Sequence, residues 1–350
     1  MIQSLRKKWI GNRIIKTAIA VFITAFICIK LNLPAEFAVI AAIVTIEPTA
    51  SDSLRKGLVR FPASAIGAAL AALFVGLLGN SPITFMLAAV LTIILCQKLN
   101  LKEGTLVATL TAVAMIPDIH DHYFLAFLSR LGTTMIGLTV STIVNLFVLP
   151  PKYIADITSK TEHHISGLAN VLIQTVNKLL KANNNTEKKQ VPDKMYQLLK
   201  SDLEKTIELL YFQKEEWKFH KIKFSEYKKF QKLEKTIFIL DKMTLHLGNL
   251  QFINKTINFN DYEQKILSET AESISYFLLH LNEPITDEYF YTIYELDQYL
   301  KYEYSSGHRR NPKYFHHFHE KTVVFYELLS IHDSLEELHQ LFSNSRSDER

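Results

Sequence analysis

The chain has 350 residues, of which 39 are Lys or Arg and 35 are Asp or Glu, and its formal net charge is +4. The charge is uneven, because residues 1–150 hold 12 basic and 6 acidic residues whereas residues 151–350 hold 27 and 29. The basic pI therefore reflects clusters beside apolar segments, which excludes a nucleic-acid surface as its cause. Two cysteines, both inside apolar runs, imply no disulfide framework and do not have the spacing of a zinc site.

Six apolar segments fill the first 150 residues with almost no charge inside them. A bilayer core of about 30 Å needs roughly 20 helical residues, and the first, third and sixth segments supply them. The others, including 35–49 and 104–116, are shorter. Six such segments in succession predict an all-α membrane protein with six transmembrane helices. The segments are about 14–31, 35–49, 61–78, 82–96, 104–116 and 124–149.

The distribution of Lys and Arg predicts the orientation of these helices. Basic residues precede the first segment and fill the second and fourth connections, whereas the other connections contain none. Because basic loops stay on the cytoplasmic side, the N-terminus and residues 151–350 are both predicted to be cytoplasmic, in a multi-pass protein of the plasma membrane. The basic residues are Arg6, Lys7, Lys8, Arg13, Arg55, Lys56, Arg60, Lys98 and Lys102.

Short stretches recur at a nearly constant spacing. "CIKLNL" at 28–33 returns as "CQKLNL" at 96–101, and "RFPASAIG" at 60–67 aligns with "RLGTTMIG" at 130–137. Small residues at every fourth position, which let helices approach closely in lipid, follow the same offset of 70. They are Ala63, Gly67 and Ala71 in the first stretch and Thr133, Gly137 and Ser141 in the second.

This recurrence predicts a duplicated three-helix unit, with repeats at about 14–78 and 82–149. Because three is odd, the two copies would enter the membrane in opposite senses, as in the inverted repeats of many secondary transporters. In such folds a pair of short, interrupted spans at matching positions points to the substrate site, and 35–49 and 104–116 fit that description. The alternative is that helix ends and small-residue packing simply recur.

Ionisable residues near the membrane segments suggest a pathway for a charged substrate. Glu47 beside Pro48 is followed by Arg60, and Asp118 beside Pro117 is followed by Arg130. Pro48 and Pro117 are predicted helix breaks. We hypothesise that the four charged residues bind substrate or form ion pairs that gate access, and that Arg130, the deepest, receives a carboxylate. The alternative is that they are interfacial anchors at the ends of the spans.

Residues 151–350 show helical periodicity and no strand alternation, which predicts a cytoplasmic helical bundle. A P-loop, a GxSxG motif and an HExxH motif are missing from the sequence, so an enzyme, a cofactor and a metal centre are not indicated. Two histidine groups are interpreted as polar loop and helix surface rather than metal ligands. They are His120 and His122, beside Asp118 and Asp121, and His308, His316, His317 and His319.

The six spans, the "R-x6-G" units at 60–67 and 130–137 and the helical tail after "LPPKY" resemble the aromatic acid exporter family, which is related to fusaric-acid-resistance-type membrane proteins. The chain is similar to the compact bacterial form with a C-terminal domain. The resemblance implies proton-driven efflux of small aromatic carboxylates. Longer members carry two six-span blocks and work with an adaptor; this chain has one block, which suggests a homodimer.

Two functions are therefore open. The first is a membrane transporter that exports organic anions. The second is a membrane-anchored sensor or assembly protein that acts through its cytoplasmic helices. The repeat and the charges near the spans favour the transporter, whereas the length of the tail favours the sensor.

Overall fold

The computed structural model describes residues 11–119, 122–181, 193–220, 222–253, 257–307 and 320–347. These residues form α-helices and two 3-10 turns and contain no β-strand, which confirms the all-helical prediction for this part of the chain. The chain divides into two compact units. The first unit comprises Met1–Lys152 and Phe212–Lys221, and the second comprises Tyr153–Tyr211 and Ile222–Arg350.

Six helices form the N-terminal part of the first unit. Three of them, α1, α3 and α6, are long and apolar enough to cross a membrane, whereas α2 and α4 are shorter apolar helices. Six crossings remain a prediction. The helices are α1 Asn12–Lys30, α2 Ala35–Thr45, α3 Ala50–Leu78, α4 Pro82–Lys98, α5 Thr105–Met115 and α6 Tyr123–Phe147, with 3-10 turns at Lys102–Gly104 and Ile116–Asp118.

Helix α3 begins eleven residues before the apolar segment that predicted it, which started at 61. The hydropathy pattern missed these residues because the first three turns carry four charged side chains. The Thr49 side chain caps the helix by accepting a hydrogen bond from the Asp52 N–H, so the charged stretch is helical from its start. Pro62 lies inside the helix without ending it.

The six helices bury small side chains and expose large apolar ones. Ala20, Thr24 and Cys28 form a buried stripe on α1, and the same pattern recurs on α4. Phe22 is 72% exposed and Phe124 is 69% exposed. This distribution is the reverse of that in a water-soluble bundle and suits helices whose outer faces contact lipid.

The repeated hexapeptide is one helix-ending motif used twice. Asn32 and Asn100 have φ angles of 53° and 57°, in the left-handed region that asparagine tolerates. The Leu33 N–H bonds to the Cys28 carbonyl at 2.9 Å, and the Leu101 N–H bonds to the Cys96 carbonyl at 2.8 Å. These six-to-one bonds end α1 and α4 in the same way.

Two glycines make reciprocal close contacts between the helices. A methyl group added to Gly67 on α3 would lie 2.2 Å from the carbonyl oxygen of Ala108 on α5. One added to Gly137 on α6 would lie 2.2 Å from the carbonyl oxygen of Ala38 on α2. The two glycines are 70 positions apart, and so are the two alanines that they contact. Each small-residue position therefore brings a long helix onto the backbone of a short one.

The second unit is a helical bundle with its own apolar core. Leu172, Leu240 and Leu335 are among the fully buried side chains of this core, and each comes from a different helix. A buried Glu263 caps α10 and accepts from the Lys321 ammonium group at 2.7 Å. The helices are α7 Ile154–Lys181, α8 Lys194–Glu216, α9 Phe224–Gln251, α10 Asp261–Leu279, α11 Asp287–Gly307 and α12 Glu320–Ser347. Helix α8 belongs to the second unit as far as Tyr211.

The predicted boundary at residue 150 differs from the observed division in one respect. Phe212–Lys221 groups with the first unit, although the sequence assigned all of 151–350 to the tail. The periodicity of α8 gave no sign of this change, because the helix itself continues to Glu216.

Candidate functional site

A small cavity of about 80 Å³ lies in the first unit between the short helices α2 and α5 and the long helix α6. Its volume admits a few water molecules. The lining is apolar except for one arginine and two hydroxyl groups. The lining residues are Phe37, Ile40, Ala41, Val107, Leu110, Thr111, Ala114, Arg130 and Thr134.

Arg130 supplies the positive charge at this cavity. Its side chain comes from α6 and the residue is 6% exposed. The guanidinium carbon lies 3.5 Å from the centre of the Phe37 ring, and Nη2 donates to the Thr111 hydroxyl at 2.9 Å. The ring face and the hydroxyl hold the guanidinium in one orientation at the cavity wall.

A row of hydroxyl groups continues from this point between α3, α5 and α6. The Ser64 hydroxyl on α3 lies 3.1 Å from that of Thr111 and 3.3 Å from that of Thr134. All three residues are buried. Because hydroxyl groups can donate or accept hydrogen bonds, these three groups can reorient in response to a charge at the cavity.

The cavity is lined by equivalent positions of the two recurring stretches. Phe37 corresponds to Val107, Ile40 to Leu110 and Ala41 to Thr111, each at an offset of 70. These positions belong to the two short segments, 35–49 and 104–116, that the sequence predicts to form a substrate site. Binding of a substrate between them remains a prediction.

Glu47 and Arg60 form a separate cluster of charges. The Arg60 Nη2 donates to the Glu47 carboxylate at 2.7 Å, and the Lys56 ammonium group lies 3.2 Å from the other carboxylate oxygen. The Arg60 Nη1 also donates to the Val44 carbonyl at 3.1 Å. The side chains of Glu47 and Arg60 are 12% and 8% exposed, so this is a nearly buried ion pair.

The other predicted site residues occupy different places. Pro48 lies between α2 and α3, and Pro117 lies in the 3-10 turn after α5. The backbone of Asp118 closes that turn, and its side chain lies outside the described part of the chain. Arg130 is in the cavity and not in the Glu47–Arg60 cluster. The small-residue positions Ala63, Gly67, Ala71, Thr133, Gly137 and Ser141 are all buried.

Sequence reasoning missed two buried polar residues of the first unit. Lys16 on α1 is 5% exposed, and its ammonium group donates to the carbonyl and side-chain oxygens of Asn145 at 3.1 and 2.8 Å. Asn145, on α6, donates to the carbonyls of Glu47 and Thr49 and to the Ser53 hydroxyl. The missed signal was a lysine and an asparagine inside apolar segments, where such residues are costly.

No group of three metal-ligating side chains occurs among the residues that the structure describes. His120, Asp121, His308, His316, His317 and His319 lie outside those residues, so the interpretation of these histidines stays a prediction.

Comparisons with known proteins match a family profile to the first part of the chain and relatives to nearly all of it. Residues 8–148 match the sequence profile of aromatic acid exporter family member 1. A UPF0421 protein of Bacillus thuringiensis (strain Al Hakam) is 43% identical over 346 residues, which cover 98% of this chain and 97% of the relative. A UPF0421 protein of Oceanobacillus iheyensis is 39% identical over 330 residues, covering 93% and 94%. The similarity therefore extends through both units.

Proposed function

Because this chain belongs to the UPF0421 family and its residues 8–148 to the aromatic acid exporter family, we propose that it exports small aromatic carboxylic acids across the plasma membrane. Coupling to the proton gradient is part of the proposal. The family suggests a transporter rather than an enzyme. The three long apolar helices of this chain likewise indicate a membrane protein.

The observation that carries the proposal is the pairing of Arg130 with Phe37 at an apolar cavity. An aromatic carboxylate needs a fixed cation for its charge and an apolar, aromatic wall for its ring. Arg130 and Phe37 both line the cavity, and the Thr111 hydroxyl, which accepts a hydrogen bond from Arg130, can donate one to a ligand. A cavity of about 80 Å³ holds only a few water molecules, so we propose that an aromatic acid binds after α2, α5 or α6 moves.

The proposed transport mechanism is alternating access between two inverted halves. The shared helix caps, the reciprocal contacts of Gly67 and Gly137 and the equivalent lining of the cavity support this arrangement. In such folds two short helices meet at the substrate site near the midplane. We propose six crossings with both termini cytoplasmic. The Glu47–Arg60 pair, beside basic Lys56, would then lie toward the cytoplasm and act as a gate.

A homodimer is also proposed, because the chain carries one six-helix block. Size-exclusion chromatography with light scattering of the detergent-solubilised protein tests this, and a monomeric mass would contradict it.

Transport of labelled aromatic acids into inverted vesicles tests the function. We expect uptake that depends on the proton gradient in the wild type and is lost in Arg130→Gln. Arg55→Gln is the matched control, because the Arg55 side chain is 67% exposed and its ion pair is with Asp52 on its own helix. A loss of about 2 kcal/mol from one charged hydrogen bond would lower transport at least tenfold. Equal transport by both variants would exclude Arg130 as the anion site.

A sensor or assembly protein is the second candidate, favoured by the separate core of the second unit. If folded wild-type protein transports none of the acids, this candidate replaces the transporter.

A further inference from the structure

Residues 212–220 lie far along the chain from the membrane helices, yet they group with the first unit. This segment contains the end of α8 and the turn that follows. Its contacts show why it belongs there.

The segment caps the start of α3. The Glu216 carboxylate accepts from the backbone N–H of Ala50 at 3.0 Å, and the Glu215 carboxylate accepts from the Ser51 hydroxyl at 2.7 Å. The first N–H groups of a helix lack partners within the helix, and two carboxylates also suit its positive end. Hydrogen bonds from Lys218 and Ser51 lower the pKa of the Glu215 carboxyl below its ordinary range.

Glu216 is buried in this position. The residue is 2% exposed, and its Oε1 atom makes no hydrogen bond to any residue that the structure describes. His220 Nδ1 lies 3.5 Å from that atom, while His220 Nε2 lies 3.2 Å from the carbonyl of Leu146 near the end of α6. A buried carboxylate is retained at a cost of several kcal/mol unless a charge balances it.

Lys16, the buried lysine of α1, contributes a positive charge that acts on Glu216. Its ammonium group interacts electrostatically with Glu216 and is fixed by its two hydrogen bonds to Asn145. Asn145 in turn fixes the residues between α2 and α3, through the carbonyls of Glu47 and Thr49. One buried network therefore joins the cytoplasmic segment to the break beside Pro48.

We infer that residues 212–220 are a working part of the membrane unit and that Glu216 is a positioning residue. By capping α3 and balancing Lys16, Glu216 fixes the conformation of the residues between α2 and α3. It thereby also fixes the position of the Glu47–Arg60 pair. The tail is thus required for the conformation of the membrane helices. The consequence for transport rests on the proposed function, whereas the consequence for the helix break does not.

Hydrogen exchange of the full-length protein tests the structural part without any substrate. We expect Glu216→Ala to raise exchange in peptides covering residues 46–53 by about tenfold, because the cap of Ala50 is lost. Glu216→Gln keeps an acceptor for the Ala50 N–H but removes the charge that balances Lys16, so it should restore the protection only in part. Glu208→Gln is the matched control, since Glu208 is an exposed acid two turns earlier on α8. Exchange in Glu216→Ala equal to that in Glu208→Gln would overturn the inference.

A charge-balance cycle covers the case in which Glu216→Ala does not fold. Removing one member of a buried pair leaves the other unbalanced, whereas removing both leaves no charge. The double variant Lys16→Met with Glu216→Gln should therefore be closer to wild type in exchange at 46–53 than Lys16→Met alone. If exchange at residues 46–53 rises in the double variant by the sum of the rises in Lys16→Met and Glu216→Gln, the pairing is overturned.

Transport of a labelled aromatic acid supplies the functional part. We expect Glu216→Ala to lower the maximal rate about tenfold with less than a twofold change in KM, because the cavity itself is unaltered. If the wild type transports no acid, the proposed function fails while the exchange result still decides the role of Glu216. Unchanged transport beside raised exchange would limit Glu216 to stability and overturn its role in function.

Discussion

The hydroxyl groups of Ser64 and Thr134 lie 3.3 Å apart, and these residues occupy equivalent positions of the two recurring stretches. In the proposed inverted repeat, equivalent residues of the two copies would meet where the axis that relates the copies passes between them. The cavity beside Arg130 is lined by Thr134 and by further equivalent positions of α2 and α5. The sequence recurrence and the candidate site are thus aspects of the same arrangement.

Gly137→Ala should destabilise the protein, because its new methyl group would lie 2.2 Å from the backbone oxygen of Ala38. We expect a loss of about 1–3 kcal/mol in the free energy of unfolding, as for other overpacked sites. Gly132→Ala on the same helix is the control, since no atom lies within 4 Å of its added methyl group. Thermal unfolding in detergent compares the two, and the control should be unchanged or slightly more stable. Equal stability of both variants would contradict the close contact.

The Glu47–Arg60 pair should show strong coupling in a double-substitution cycle. Glu47→Gln leaves the nearly buried Arg60 guanidinium without its carboxylate, so it should cost about 3 kcal/mol in the free energy of unfolding. Arg60→Met leaves Glu47 paired with Lys56 and should cost less. The double variant should cost clearly less than the sum. Arg55→Gln removes a side chain that is 67% exposed, so it should cost under about 1 kcal/mol. Additive losses in the cycle would show that the two residues act independently.

Hydropathy and spacing predicted the helices and the recurrence, because lipid-facing helices need a continuous apolar surface that is visible in composition. They did not predict where α3 begins, since Asp52, Arg55 and Lys56 interrupt the apolar pattern although the helix continues through them. Nor could they separate Arg60 from Arg130. Both arginines follow an acid beside a proline, yet one pairs with Glu47 and the other lies over Phe37. Such partners depend on tertiary packing of distant helices.

The contact between Glu216 and Ala50 could not be predicted from the sequence. Glu216 is one of many charged residues on an amphipathic helix, and its partner Ala50 is 166 positions earlier. Lys16 was the available clue, because a buried lysine in an apolar helix requires a counter-charge from elsewhere.

Cysteine labelling should test the orientation of the first unit. Cys28 and Cys96 are completely buried, so the folded protein should give little background with maleimide reagents. Asn80→Cys, in the connection between α3 and α4, should react with an impermeant maleimide in intact cells. Glu103→Cys, whose native side chain is 58% exposed, should react only in inverted vesicles. Labelling of both positions from the same side would contradict six crossings.

His164 should make the second unit less stable in mild acid. The residue is 3% exposed, and burial lowers its pKa to about 4, while the Nε2 atom meets the Thr244 hydroxyl at 3.0 Å. Between this value and the ordinary 6.5, the unfolded chain binds a proton that the folded chain does not, so stability falls as the pH falls through that window. From pH 7 to pH 5 the expected loss is about 2 kcal/mol.

His164→Gln should remove this part of the pH dependence, and His163→Gln should keep it, because His163 is the exposed neighbour on the same helix. The measurement is the unfolding temperature of the full-length protein between pH 5 and pH 7. Burial also lowers the pKa values of His332 and His339, so some pH dependence should remain in both variants. The informative quantity is the difference between the two variants in the slope of unfolding temperature against pH. Parallel slopes would mean that the His164 imidazole is protonated in the folded state at pH 5, against the burial seen between α7 and α9.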